Sequence, residues 1–301
     1  MDKFFLSTDS TADLYAHEIK ELRCGFLPLT ITVQRENGTE LLPDSFTTEK
    51  EYYDFYELLK DRSVTVTTSK NNTEIHREYF ERLAKEGHND VLHFTISYGL
   101  ANTLDNAEEA AQIVKQTYPD FNLRVIESCT TTVGQGMLVR IAAKLRDEGK
   151  TIDEVYEHCQ EVKHRIQHFI MVDDLFHLKR GGRVSGAAAA VGTIIQLKIV
   201  ITFDKEGKLK VIKKIPGGKR KCEKAIFEDA DTFTFDREDF YPIVVHTGNE
   251  EFANQFADDI NERYGFRPEI RLMGPTIACH IGPGAVAITC TKNLPKELLT
   301  K

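Results

Sequence analysis

Residues 275–288, PTIACHIGPGAVAI, set one histidine, His280, in a mostly apolar run that closes at once with Gly-Pro-Gly. An imidazole in apolar surroundings needs a hydrogen-bond partner. Either the backbone supplies it, as for a satisfied core histidine, or the ring meets the polar end of a ligand. Hydroxyls are the second chemical signal: STDSTAD, TTSKNN, ISYGLANT and ESCTTTVGQG each follow a strand-like stretch and are dense in hydroxyls or glycine. Neutral hydroxyl donors gathered at one place form a polar pocket without fixed charge, although singly such residues cap helices. Ser97 or Ser128 with His280 or His246 as base would make a hydrolase, but no GxSxG elbow occurs and no orienting aspartate can be assigned. His164 and His168 lack the glutamate of an HExxH site, so no metal is expected. TVGQGM lacks the dinucleotide fingerprint and IPGGKRK is not a Walker A loop, which disfavours a nucleotide enzyme. Arg180 and Arg183 in KRGGRVSG offer rigid donor forks for a phosphate or a partner's carboxylate, or else form a solvated charged turn.

Alternating strands and helices must position these groups. KFFLSTDS reads as a short strand ending in a polar loop, residues 11–21 as a helix, GFLPLTITV as a strand, and TTEKEYYDFYELLKD as an amphipathic helix. SVTVTTSKNN is a β-branched strand running into polar residues. After it come helix, strand, helix, strand and helix, in NTEIHREYFERLAKEG, DVLHFTI, TLDNAEEAAQIVKQTY, NLRVIES and TVGQGMLVRIAAKLRDEG. This order predicts an α/β domain with a mostly parallel sheet and helices on both faces. Ligands bind such sheets beyond the strand C-termini, where the hydroxyl-rich loops fall.

Residues 151 to about 167 read as one long helical run, and the character of the chain changes inside it. An apolar strand follows, then DDLFHLKRGG as a helix of one or two turns closed by glycine. SGAAAAVG permits close approach of backbones or a ligand, and IIQLKIVITF turns through DKEG into KLKVIKKI as a hairpin. The remaining helices and strands, with His280 on an apolar strand, complete a second α/β domain with a mixed sheet. The division is placed at 1–163 and 164–301.

The chain carries 39 Lys and Arg against 47 Asp and Glu, a net charge of −8, which argues against whole-surface attraction to nucleic acid or anionic membrane. The charge is uneven: residues 163–224 hold 15 basic and 5 acidic residues, +10, leaving −18 elsewhere. That basic region lacks interleaved aromatics for base stacking, so a nucleic-acid-binding regulator is a lesser alternative. No run of 18 apolar residues and no signal-like N-terminus appear, so no stable membrane insertion is expected. The six cysteines are widely spaced and suit a reducing cytoplasm.

Eight stretches together carry a resemblance: DSTADL, FLPLTI, TTS at 67–69, ISYGLANT, ESCTTTVGQGMLV, LKRGGRVSG, LKIVITFDKEGKL and CHIGPGAVAI. In this order and spacing the chain resembles, over essentially its whole length, the DegV family of two-domain bacterial fatty-acid-binding proteins. The resemblance implies a long-chain fatty acid in a tunnel between the domains, its carboxylate bonded by a threonine, a serine and a histidine. It implies a carrier that performs no chemistry and needs no cofactor. Members with an assigned function present the acid to a separate fatty-acid kinase, which makes acyl phosphate for phospholipid synthesis; transient membrane contact fits such a role.

Carried onto this chain, the threonine matches Thr68 and the histidine matches His280. The serine aligns in two ways. If it is the first of the family's Ser-Ser-Gly-Leu-Ser-Gly-Thr, Ser97 supplies it; if it is the last, Ala101 stands in its place. Ser128 and Gly282 complete the expected ligand-binding set, the glycine through the turn around the head group, and Arg180 and Arg183 are the expected kinase-docking residues. Lys70 and Asn71 replace the family's Gln and Pro, and Glu127 its usual aspartate. Burying a methylene is worth ~0.8 kcal/mol, so a sixteen-carbon tail brings about 12 kcal/mol of gross transfer energy. The buried carboxylate must then be met by several donors.

Overall fold

The computed structural model describes residues 3–173, 175–182, 184–185, 197–233 and 241–299. Four strands, β1 (Phe5–Asp9), β2 (Cys24–Leu27), β6 (Asp90–Thr95) and β7 (Asn122–Glu127), form a parallel sheet in the order β2-β1-β6-β7. Alternation along β6 separates its two faces. Leu92 and Phe94 pack with α5 (Thr132–Asp147) and α6 (Ile152–Val162), while Val91 packs with α3 (Thr73–Lys85) and α4 (Leu104–Thr117). Helices therefore cover both faces, as the alternating pattern predicts. Side-chain caps fix their starts: Asn72 accepts from the Ile75 amide at 2.9 Å, and Thr151 forms a capping box with Glu154.

A second, seven-stranded sheet lies C-terminal to these elements. It contains β8 (Ile166–Val172), β9 (Val184–Ser185), β10 (Leu197–Phe203), β11 (Leu209–Pro216), β12 (Ile243–His246), β13 (Glu269–Leu272) and β14 (Val286–Thr291). The order is β13-β12-β14-β8-β10-β11-β9, with β12–β13 and β11–β9 parallel and the other pairs antiparallel. The expected hairpin is β10–β11. Among the described residues α7 (Leu175–Gly181), α8 (Lys219–Phe233), α9 (Glu250–Tyr264) and α10 (Pro275–Ile281) accompany this sheet. No helix of the described residues is long and apolar enough to cross a membrane.

Several elements differ from the sequence reading. GFLPLTITV is two strands: β2 joins the parallel sheet, whereas β3 (Thr30–Arg35) pairs with β4 (Gly38–Pro43) and β5 (Thr65–Ser69) in a separate antiparallel sheet. Pro28, which has no amide hydrogen for a ladder, stands at the break. SVTVTTSKNN therefore supplies a strand of this small sheet and not of the parallel one. Residues 11–21 are a short 3-10 turn at Ser10–Ala12 followed by α1 (Ala16–Glu21), and α2 (Glu49–Lys60) is as expected. The helical run from 151 is an α-helix to Val162 continued by a 3-10 turn at Lys163–Arg165, and β8 begins at Ile166, close to the expected end. His280 sits on a helix, α10, and not on a strand. Pro275 occupies the first turn and Gly282 ends it with φ 87°.

Side chains cross between the two sheets. Arg271 on β13, 3% exposed, forms two hydrogen bonds to the Glu18 carboxylate on α1, at 2.9 and 2.5 Å, and lies 4.3 Å over the Tyr15 ring. Buried His168 on β8 meets Thr130 Oγ1 through Nε2 at 2.5 Å and Thr289 Oγ1 on β14 through Nδ1 at 2.6 Å. Burial pushes this histidine down to about 3. Arg183 and, within SGAAAAVG, residues 186–192 lie outside the described residues.

Candidate functional site

The parallel sheet delivers its strand ends to one edge: Asp9, Thr95 and Glu127 close β1, β6 and β7. A cavity of about 590 Å³ opens there, against β8, β10, β11 and α10. Its volume falls in the range of small-molecule sites, ~300–1,000 Å³. The inner wall is apolar and buried, formed by Ile96, Ile170, Phe203, Leu209, Ile277 and Ile281. Toward the mouth stand half-buried Thr68, Ala101, Asn102 and His280, with exposed Ser69, Lys70 and Asn72.

Thr68 comes from β5 and His280 from the last turn of α10, yet Thr68 Oγ1 and His280 Nε2 are 2.8 Å apart. The helix is held close to α7, since a Cβ on Gly181 would come within 2.9 Å of His280 Nδ1. A hydroxyl and an imidazole at the rim of an apolar chamber can turn two donors toward an anionic head group while its chain occupies the wall below.

The other expected residues are placed differently. Ser97 is fully buried and donates to the Gly207 carbonyl at 2.6 Å; Ala101, not Ser97, is on the cavity wall. Ser128 is also fully buried and donates to the Thr130 carbonyl at 2.9 Å. Gly282 closes α10, and a Cβ there would meet His177 Cβ at 2.9 Å, so its close approach is to α7 and not to the cavity. His246 accepts from the Asn249 amide at 3.1 Å, and burial pushes it down to about 4. Neither Ser97 nor Ser128 has a hydrogen bond to a histidine among the described residues. Among the described residues no group of three or more His, Cys, Asp or Glu side chains is placed to hold a metal. Arg180 is half-buried on α7.

Residues 3–293 match the model of a family of uncharacterised proteins, the DegV family. The chain belongs to that family. A DegV domain-containing protein of Lactococcus lactis is 32% identical over 304 residues, covering 98% of this chain and 99% of that protein. The crystal structure of a fatty-acid-binding DegV-family protein from Streptococcus agalactiae is 26% identical with a TM-score of 0.79, covering 97% of this chain and all of the other (100%). That of DegV, a fatty-acid-binding protein from Bacillus subtilis, gives 26% and 0.78 over the same shares, 97% and 100%.

Beneath the cavity this DegV chain carries three buried carboxyls that sequence reading missed as a group: Asp9, Asp13 and Asp44. Asp9 accepts from the Ile96 amide at 2.9 Å, and Asp13 from the Gly274 amide at 2.8 Å. Asp44 accepts from Ser10 Oγ at 2.8 Å and Thr276 Oγ1 at 2.5 Å, tying α10 to the loop after β4. Burial raises all three acids, Asp13 well above the carboxylate range and Asp44 to about 6. For Asp44, folding thus favours the protonated acid. Its contribution is full below the ordinary value of 3.8 and is lost as pH rises through about 6. Relative to Asp44→Asn, wild-type stability should fall by about 2–3 kcal/mol between pH ~4 and ~7, read from urea midpoints. Parallel pH profiles for the two proteins would remove Asp44 as the titrating group.

Proposed function

We propose that this protein binds a long-chain fatty acid with its carboxylate at Thr68 and His280 and its tail in a tunnel that continues the apolar cavity. It presents the acid to a separate fatty-acid kinase and performs no chemistry of its own. The observation that carries the reading is the Thr68–His280 pair, 2.8 Å apart at the rim of a cavity walled by Ile, Leu and Phe. The fatty-acid binding of the related S. agalactiae and B. subtilis proteins supports it. In this scheme residues 1–163 and 164–301 form the two domains that enclose the ligand, and the basic stretch around Arg180 and Arg183 docks the kinase. The protein works in the cytoplasm and touches membranes only transiently to exchange lipid.

A tightly held acid copurifies. Mass spectrometry of solvent extracts should find long-chain fatty acid near one molecule per chain, and delipidated protein should bind it again saturably. An extract without fatty acid, together with no saturable binding, would count against the carrier reading.

A further inference from the structure

Thr68 lies in β5 and Lys70 follows directly on its last residue, Ser69, and both Thr68 and Lys70 line the cavity. The Lys70 ammonium reaches over the mouth and donates to the Asn102 carbonyl at 2.8 Å, joining the loop after β5 to the loop after β6. Among the described lining residues Lys70 is the only Lys or Arg, and no Asp or Glu is present. The cavity therefore has a cation at its entrance, donors at Thr68 and His280 just inside, and no carboxylate on its wall to oppose an anion.

We propose that Lys70 is a specificity-determining residue that selects single-chain lipids with an anionic head group over neutral lipids of the same length. This rests on the fatty-acid-carrier reading. An ammonium held by one backbone carbonyl keeps donors to spare, since Lys has three. Its attraction for an anion reaches across the mouth and weakens with salt. A neutral head group gains far less from it than a carboxylate does, so the charge separates lipids that the apolar wall cannot distinguish.

The test is binding of palmitate and of 1-hexadecanol to delipidated wild type, Lys70→Gln and Lys70→Arg, at low and high salt in mildly alkaline buffer. Lys70→Gln should weaken palmitate binding by about three- to tenfold at low salt and flatten its salt dependence. Hexadecanol binding should weaken by less than palmitate binding does, and Lys70→Arg should retain the preference for the acid. Equal losses for both lipids, or an unchanged ratio in Lys70→Gln, would overturn the selectivity role while leaving the carrier reading intact. A wild-type protein that takes up neither lipid would overturn the carrier reading and this inference with it.

Discussion

Thr68→Val and His280→Ala should each weaken fatty-acid binding by about 1–3 kcal/mol, and the double variant by less than their sum. The side chains lie 212 residues apart in sequence but are hydrogen-bonded at 2.8 Å. A carboxylate entering between them takes both donors. Once one is gone the head group shifts toward the survivor or admits water, so the second loss is smaller. Dissociation constants for wild type, both single variants and the double variant complete the cycle. Additive losses would mean that the two groups act on different atoms or different ligands, and wild-type affinity in both single variants would make His280 a core histidine.

Arg271→Ala should cost about 3–5 kcal/mol of folding stability, the largest effect expected of any single change considered. The guanidinium also donates to the Asp13 carbonyl at 3.0 Å and to Glu269 at 2.7 Å. Its removal leaves Glu18, whose side chain is 8% exposed, with only Arg140 and the Tyr15 amide among the partners described for it. Burial alone would raise the Glu18 carboxyl, but the Arg271 hydrogen bonds and charge, together with the Arg140 charge and the Tyr15 amide, outweigh it and hold the group below its ordinary value. Adding Glu18→Gln to Arg271→Ala should recover part of the loss, because the buried carboxylate that has lost its two Arg271 hydrogen bonds is then gone. Urea denaturation of the three proteins reads this. A loss below about 1 kcal/mol in Arg271→Ala would show that the pair contributes no more than a surface contact.

The parallel sheet was legible because its segments alternate in period, strand against helix, and its helices begin on capping residues such as Asn72 and Thr151. The small sheet was not. Asn37-Gly38 is a turn signal, but GTELLP on its far side is almost wholly exposed, and an exposed strand lacks the apolar alternation that reveals a buried one. PTIACHI read as a strand because a short, uniformly buried apolar run has no polar face to show its period. At the site, His280 stood out as a polar group in apolar company, whereas Thr68, one hydroxyl among several in SVTVTTSKNN, was reached through the family resemblance. Asp13, Asp44 and Thr276 did not stand out, since isolated acids and hydroxyls in loops look like caps until the fold brings them together. Arg271 left a faint trace as a lone cation within the strand EIRL.

The seam at His168 also has a direction. A neutral imidazole carries one N–H, so it must donate through one ring nitrogen and accept through the other. Thr130 Oγ1 has an onward acceptor, the Thr131 carbonyl, at 3.5 Å. The arrangement that uses every donor runs from the Thr289 hydroxyl to Nδ1, from Nε2–H to Thr130, and from Thr130 to Thr131, which lines the cavity. This selects the Nε2–H tautomer and aligns three dipoles head to tail, from the middle of the mixed sheet to the cavity wall.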